Sequence, residues 1–186
     1  MKVRAVALRS HTLLGIICVT LYAAGVTCLA REPAEQVAAI FAQGQAALTK
    51  GDLATAETYF RQVLEREPNS VPAQANLGVV YMRRRQWTKA LEQFQTAERL
   101  APGNPGLEID IGLAYFRQED FTAAIKPFEA VLQNNPSSLQ ARYLVGLCLF
   151  ATEKYSQAIE SLKSLWSSEN NKMTYLYVLA LTANKA

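Results

Sequence analysis

The 186-residue chain has a single histidine, His11, three cysteines and nine glycines. With one imidazole and scattered thiols, no Cys/His cluster can be assembled for zinc. The glycines nowhere take the spacing of a phosphate-cradling loop. The carboxylates do not pair for acid–base work either. Asp52 and Asp120 each stand just before a helical stretch, where a capping side chain is wanted. Glu108 and Asp110 flank an apolar residue on one helix and so face different ways. These absences predict no catalysis, no metal and no cofactor.

Disulfides are also excluded. Cys18 and Cys28 fall in the first 30 residues, which leaves Cys148 alone in the body. It sits in the apolar run YLVGLCLF, which suits a small core residue rather than a reactive thiol. An excess of one charge is missing as well. The net charge is +3, yet Lys2, Arg4 and Arg9 lie in residues 1–30, which hold no acid. Removing those three from the 19 basic residues leaves 16 against 16 acidic ones, so the body is neutral.

The first 30 residues read as an export segment. A basic start is followed by the uncharged run Thr12–Ala30, with Cys28 and Ala30 as small residues before the polar REPAEQ. That order is the pattern of a signal peptide. The run is also nearly as long as the ~20 residues that span a bilayer, so an uncleaved anchor is the alternative. Both place the body outside the cytoplasm, as a periplasmic or secreted protein or on the inner membrane's outer face.

What the sequence has in abundance is repetition. Gly44, Gly78, Gly112 and Gly146 recur every 34 residues, as do Ala56, Ala90, Ala124 and Ala158. Phe60, Phe94, Phe128 and Leu162 keep the same step, and so do Pro68, Pro102 and Pro136, with Asn170 fourth. Each unit shows two apolar stripes at helical spacing, separated by a turn. In the second unit these are Leu77, Gly78 and Tyr81, then Trp87, Ala90, Leu91, Phe94 and Ala97. The small residues fit where two helices cross, the large ones fill the gap beside the crossing, and each proline stops a helix. Pro127 lies inside the second helix of the third unit, where a mild bend or a shortened first turn is expected.

These columns resemble the tetratricopeptide repeat family. Leu77-Gly78, Tyr81, Ala90, Phe94, Ala97 and Pro102 match its pattern, as do Ile111-Gly112, Tyr115, Ala124, Phe128 and Pro136. The first and fourth copies are weaker, and no copy has the leading tryptophan. The resemblance implies an all-α fold, a right-handed α-solenoid of stacked antiparallel helix pairs. The units are expected at 37–70, 71–104, 105–138 and 139–172, within a body of 31–186, with a single terminal helix at 173–184. It also implies a protein-binding groove lined by the first helix of each unit.

Helix geometry then names the residues beside the core stripe. They are Phe41, Gln45 and Leu48, then Ala75, Val79, Met82 and Arg83, then Ile109, Leu113, Phe116 and Arg117, then Tyr143, Leu147 and Phe150. The same stripe would serve equally as a partner groove or as packing between units. A carboxylate clamp of the kind some family members use is not expected, because only Asn76 matches a clamp residue. The terminal segment MTYLYVLALTANKA is unusually apolar, and Tyr175, Tyr177, Val178 and Leu181 are candidates for an assembly surface between copies or with another protein. The basic window YMRRRQW, Tyr81 to Trp87, falls into the repeat register, so Tyr81 and Trp87 are structural. Arg84 and Arg85 read as solvated turn charge, and no nucleic-acid partner is expected. The reading overall is a non-catalytic scaffold for a protein or peptide partner, with an assembly factor as the alternative.

Overall fold

A computed structural model describes residues 34–163 and 165. These form eight helices and, among the described residues, no strand. They are α1 at 34–50, α2 Leu53–Arg66, α3 Val71–Arg83, α4 Trp87–Leu100, α5 Pro105–Arg117, α6 Phe121–Asn134, α7 Leu139–Ala151 and α8 Tyr155–Lys163. Each packs on its neighbours in the chain, and α3 also meets α5 directly. The chain is therefore an α-solenoid of helix pairs, with α1, α3, α5 and α7 as the first helices. The expected leader at 1–30 and terminal helix at 173–184 lie outside the described residues.

One contact repeats in every helix pair. A Cβ built on Gly44, Gly78 or Gly112 would come within 2.8, 2.4 or 2.4 Å of the rings of Phe60, Phe94 and Phe128, and on Gly146 within 2.5 Å of Leu162. All four large side chains are essentially inaccessible, as are Ala56, Ala90, Ala124 and Ala158. The glycine makes a notch in the first helix, and the ring of the second helix fills it. Packing at this distance leaves no room for a methyl group. The resulting core runs in two large clusters, joined by Tyr115, which packs against both, and a small one of Val37, Val63 and Ala73.

The turns within the units are copies too. Residues 51, 85, 119 and 153 all take a left-handed backbone, with φ of 81° at Gly51, 59° at Arg85, 63° at Glu119 and 62° at Glu153. In the second unit the amide of Arg85 donates to the Met82 carbonyl at 3.0 Å and that of Gln86 to Tyr81 at 2.9 Å. The same two bonds recur in the other three turns. This is the Schellman arrangement, which satisfies carbonyls that a helix end leaves open. Only the first unit meets the left-handed requirement with glycine; the other three hold a charged residue there at a conformational cost.

The opposite ends are set by capping and proline. Asp52 accepts from the Thr55 amide at 3.1 Å and Asp120 from Ala123 at 3.0 Å, the roles expected of them. Helices α2, α4 and α6 stop two residues before Pro68, Pro102 and Pro136, because the residue ahead of a proline is pushed out of the helical region. The shortened turn expected at Pro127 is absent: α6 has 14 residues, as α2 and α4 do. The proline ring is buried within it, and apolar burial there outweighs the one missing amide bond.

Gly78→Ala is expected to destabilise the protein by about 1–3 kcal/mol, since displacing the Phe94 ring outweighs the ~1 kcal/mol gained in helix propensity. Phe94→Ala should cost about 3–5 kcal/mol. The double variant should lose clearly less than the sum, because the methyl then enters the space the ring vacated. Urea unfolding of the three variants measures this coupling; additive losses would mean the notch contact is not what holds the pair.

Candidate functional site

The residues beside the core stripe come to lie along the first helices α1, α3, α5 and α7. Of the apolar ones Leu48 is buried, and Phe41, Ala75, Val79, Met82, Ile109, Leu113, Phe116, Tyr143, Leu147 and Phe150 are half-buried. Val79 and Met82 rest on the first core cluster, and Ile109, Leu113, Phe116, Tyr143 and Phe150 on the second. Each side chain is thus partly engaged in packing and partly open. Two of them, Phe116 and Phe150, are held by the residue that starts the next helix. Phe116 meets Phe121 edge to face at 5.2 Å, and one unit later Phe150 meets Tyr155 at 5.6 Å. Two of these strip rings are accordingly fixed in place rather than free to sweep the surface.

The arginines divide. Arg83 donates from Nη1 to the Leu48 carbonyl at 2.6 Å, so this groove arginine is tied to the end of α1 in the preceding unit. Arg85 was expected to be solvated turn charge. Its side chain is exposed in the turn as expected, and it also lines an open cleft of about 510 Å3 with Arg83, Arg117, Met82 and Trp87. Arg84 departs from that expectation, since it pairs with Glu57. Glu57 also accepts from the Tyr81 hydroxyl at 3.0 Å and pairs with Arg61 at 2.7 Å. Three consecutive arginines therefore serve different neighbours. Sequence reasoning missed Glu57; the only signal was its i, i+4 spacing to Arg61.

The one clamp-like side chain, Asn76, turns its amide back to the Pro72 carbonyl of its own helix at 2.8 Å. A second cleft, of about 710 Å3, also escaped the sequence reading. It lies between α4, α5 and α6 and is lined by Glu98, Glu108, Ala123, Lys126 and Pro127 among others. Burial and the nearby Glu98 push the Glu108 carboxyl above its usual range, partly offset by Lys126. Cys148 is buried, and its thiol is pushed up to about 11 by that burial, so it is an inert core residue. Among the described residues no group of His, Cys, Asp and Glu is arranged to hold a metal.

Asp110 is the chemically unusual member of the first-helix face. It is half-buried, and desolvation pushes its carboxyl up to about 6, well above the usual carboxylate range. The folded chain therefore keeps this proton at pH values where the unfolded chain has lost it. Its contribution to stability is present below about pH 4 and is lost as pH rises towards 6. Thermal unfolding at pH 4.5 and pH 7 should show this as a difference in Tm. Asp110→Asn should raise Tm at pH 7 and make the protein relatively less favoured by acid than the native chain; an unchanged pH dependence would place the carboxylate in water.

Comparison with known proteins agrees with this geometry. Residues 41–105 match the family model described as tetratricopeptide repeat. Residues 107–165 match that of anaphase-promoting complex, cyclosome, subunit 3. No curated protein matches the chain at a significant level. Among solved structures, MamA is similar with a TM-score of 0.72 at 24% identity, over 80% of this chain and 81% of that one. A fragment of MamA from Desulfovibrio magneticus RS-1 gives 0.65 at 23%, over 70% and 74%. YrrB, a tetratricopeptide-repeat protein with an unusual peptide-binding site, gives 0.70 at 18%, over 78% and 75%. With the 34-residue period, the glycine notches and these matches together, the chain is a tetratricopeptide-repeat protein.

Proposed function

We propose that the chain is a non-catalytic scaffold that holds a segment of a protein partner along its first-helix face. The observation that carries this reading is the half-buried apolar strip of Ile109, Leu113, Phe116, Tyr143, Leu147 and Phe150, with Phe116 and Phe150 pinned by neighbouring rings. A pinned, partly open apolar side chain loses little entropy when a partner covers it, so most of its burial energy goes into binding. The peptide-binding site of YrrB, a protein of similar fold, supports peptide binding as a use of this fold. Covering one large apolar side chain is worth about 1.5–3 kcal/mol, against about 0–1 kcal/mol for an exposed ion pair. The strip would therefore supply affinity and the arginines orientation.

Phe116→Asp and Tyr143→Asp should each weaken retention of the partner by about tenfold or more, as read by pull-down with the full chain and by titration of the captured protein. Circular dichroism must show the variants folded. Specific partners that stay bound to both folded variants would overturn the groove reading.

We also place this scaffold in the bacterial cell envelope, on the strength of the basic start and the uncharged run Thr12–Ala30. Mass spectrometry of the protein from a cell-envelope fraction is expected to find the chain starting at Arg31. An intact start in that fraction would favour the membrane anchor, and recovery only from the cytoplasm would overturn both.

A further inference from the structure

The apolar strip says nothing about the direction in which a partner segment lies, but the charges at its two ends do. At one end Arg83, Arg85 and Arg117 line a single cleft with Met82 and Trp87, and no acidic residue lines it. Two backbone features fix this end: Arg83 is anchored on the Leu48 carbonyl, and Arg85 sits in the left-handed turn position. Further back along α5 lies Asp110, half-buried. Seven residues is nearly two whole helical turns, so Asp110 and Arg117 share one face about 10 Å apart. That separation is too long for the two to neutralise each other directly. Leu113 lies between them on the same face, with Phe116 beside it.

We propose, on the basis of the groove reading above, that the occupant is an extended peptide bound in one direction. A basic side chain meets Asp110, apolar side chains cover Leu113 and Phe116, and a carboxylate enters the Arg83–Arg85–Arg117 cleft. An extended chain rises ~3.3 Å per residue, so the basic and acidic groups stand about three or four residues apart. Guanidinium groups suit a carboxylate because their paired N–H donors match its two oxygens. A nucleic-acid strand is disfavoured, since its phosphates would face Asp110 and its sugars the apolar strip. The carboxylate can come from an acidic side chain or from a chain terminus, and the test separates the two.

Fluorescence anisotropy with the full chain would compare three labelled peptides: GKLFLEG and its charge-reversed form GELFLKG, both capped at each end, and GKLFL with a free C-terminus. Binding of GKLFLEG at least tenfold tighter than GELFLKG is expected, with the order inverted in the Asp110→Lys, Arg117→Glu double variant. Tighter binding of free GKLFL than of GKLFLEG would assign the cleft to a chain terminus, and the reverse to an acidic side chain. Equal binding of the two capped peptides, abolished by Phe116→Asp, would overturn the directional proposal and leave the groove intact. Failure of all three peptides, or tighter binding of a single-stranded thymidine oligonucleotide, would overturn it along with the surface's use for peptides.

Discussion

The structure depends on one steric exchange made four times. A glycine in each first helix gives up its side chain so that a ring, or a leucine in the last unit, can lie directly on the backbone. In an ordinary helix a glycine costs about 1 kcal/mol relative to alanine. Here the loss is offset by full burial of a large side chain and by close approach of two helices. Because the exchange recurs at an identical step, it sets the same crossing in each pair. The stack and the face it presents follow from that single geometry.

Every other repeated feature serves this crossing. The left-handed residue at 51, 85, 119 and 153 reverses the chain in the few residues available between the two crossing helices. The proline two residues past α2, α4 and α6 ends the second helix at the same length each time. Aromatic residues at the start of α6 and α8 then brace the last aromatic of the helix before. Where the chain departs from the repeat, the departures are chemical rather than geometric. Glu57 gathers Arg61, Tyr81 and Arg84 into one network in only one register, and Asp110 places a carboxylate where the corresponding residues are Ala42, Asn76 and Leu144.

The fold was legible because it is written in steric terms. Glycine, alanine and phenylalanine at fixed spacing can satisfy only one kind of crossing, and both aspartate caps followed from local hydrogen bonding. Pro127 was harder to read, because its cost is local while its compensation is the core contact of its ring. The site was legible only as a strip. Periodicity tells which residues neighbour the core but not how far the next unit overlaps them, which is why Phe116 and Phe150 could be named without their exposure being known. The arginine cleft was out of reach for another reason. Arg83 and Arg117 share a register, whereas Arg85 joins them through the turn, and Arg84 is drawn off by Glu57 from a helix 27 residues earlier. Long side chains on a turn are assigned by their neighbours in space.

The bond from Arg83 to the Leu48 carbonyl has a consequence for how small this protein can be made. In a stack whose units touch only their neighbours, a terminal unit can usually be trimmed with a local loss of stability. Here Arg83, the second unit's charge in the proposed groove, is held by the backbone of the first. A fragment beginning at α3 would keep the helices on which the apolar strip is built, yet Arg83 would swing free and the cleft would lose one wall. The first unit, whose own Phe41 is half-buried, is thereby part of the proposed recognition surface as its template.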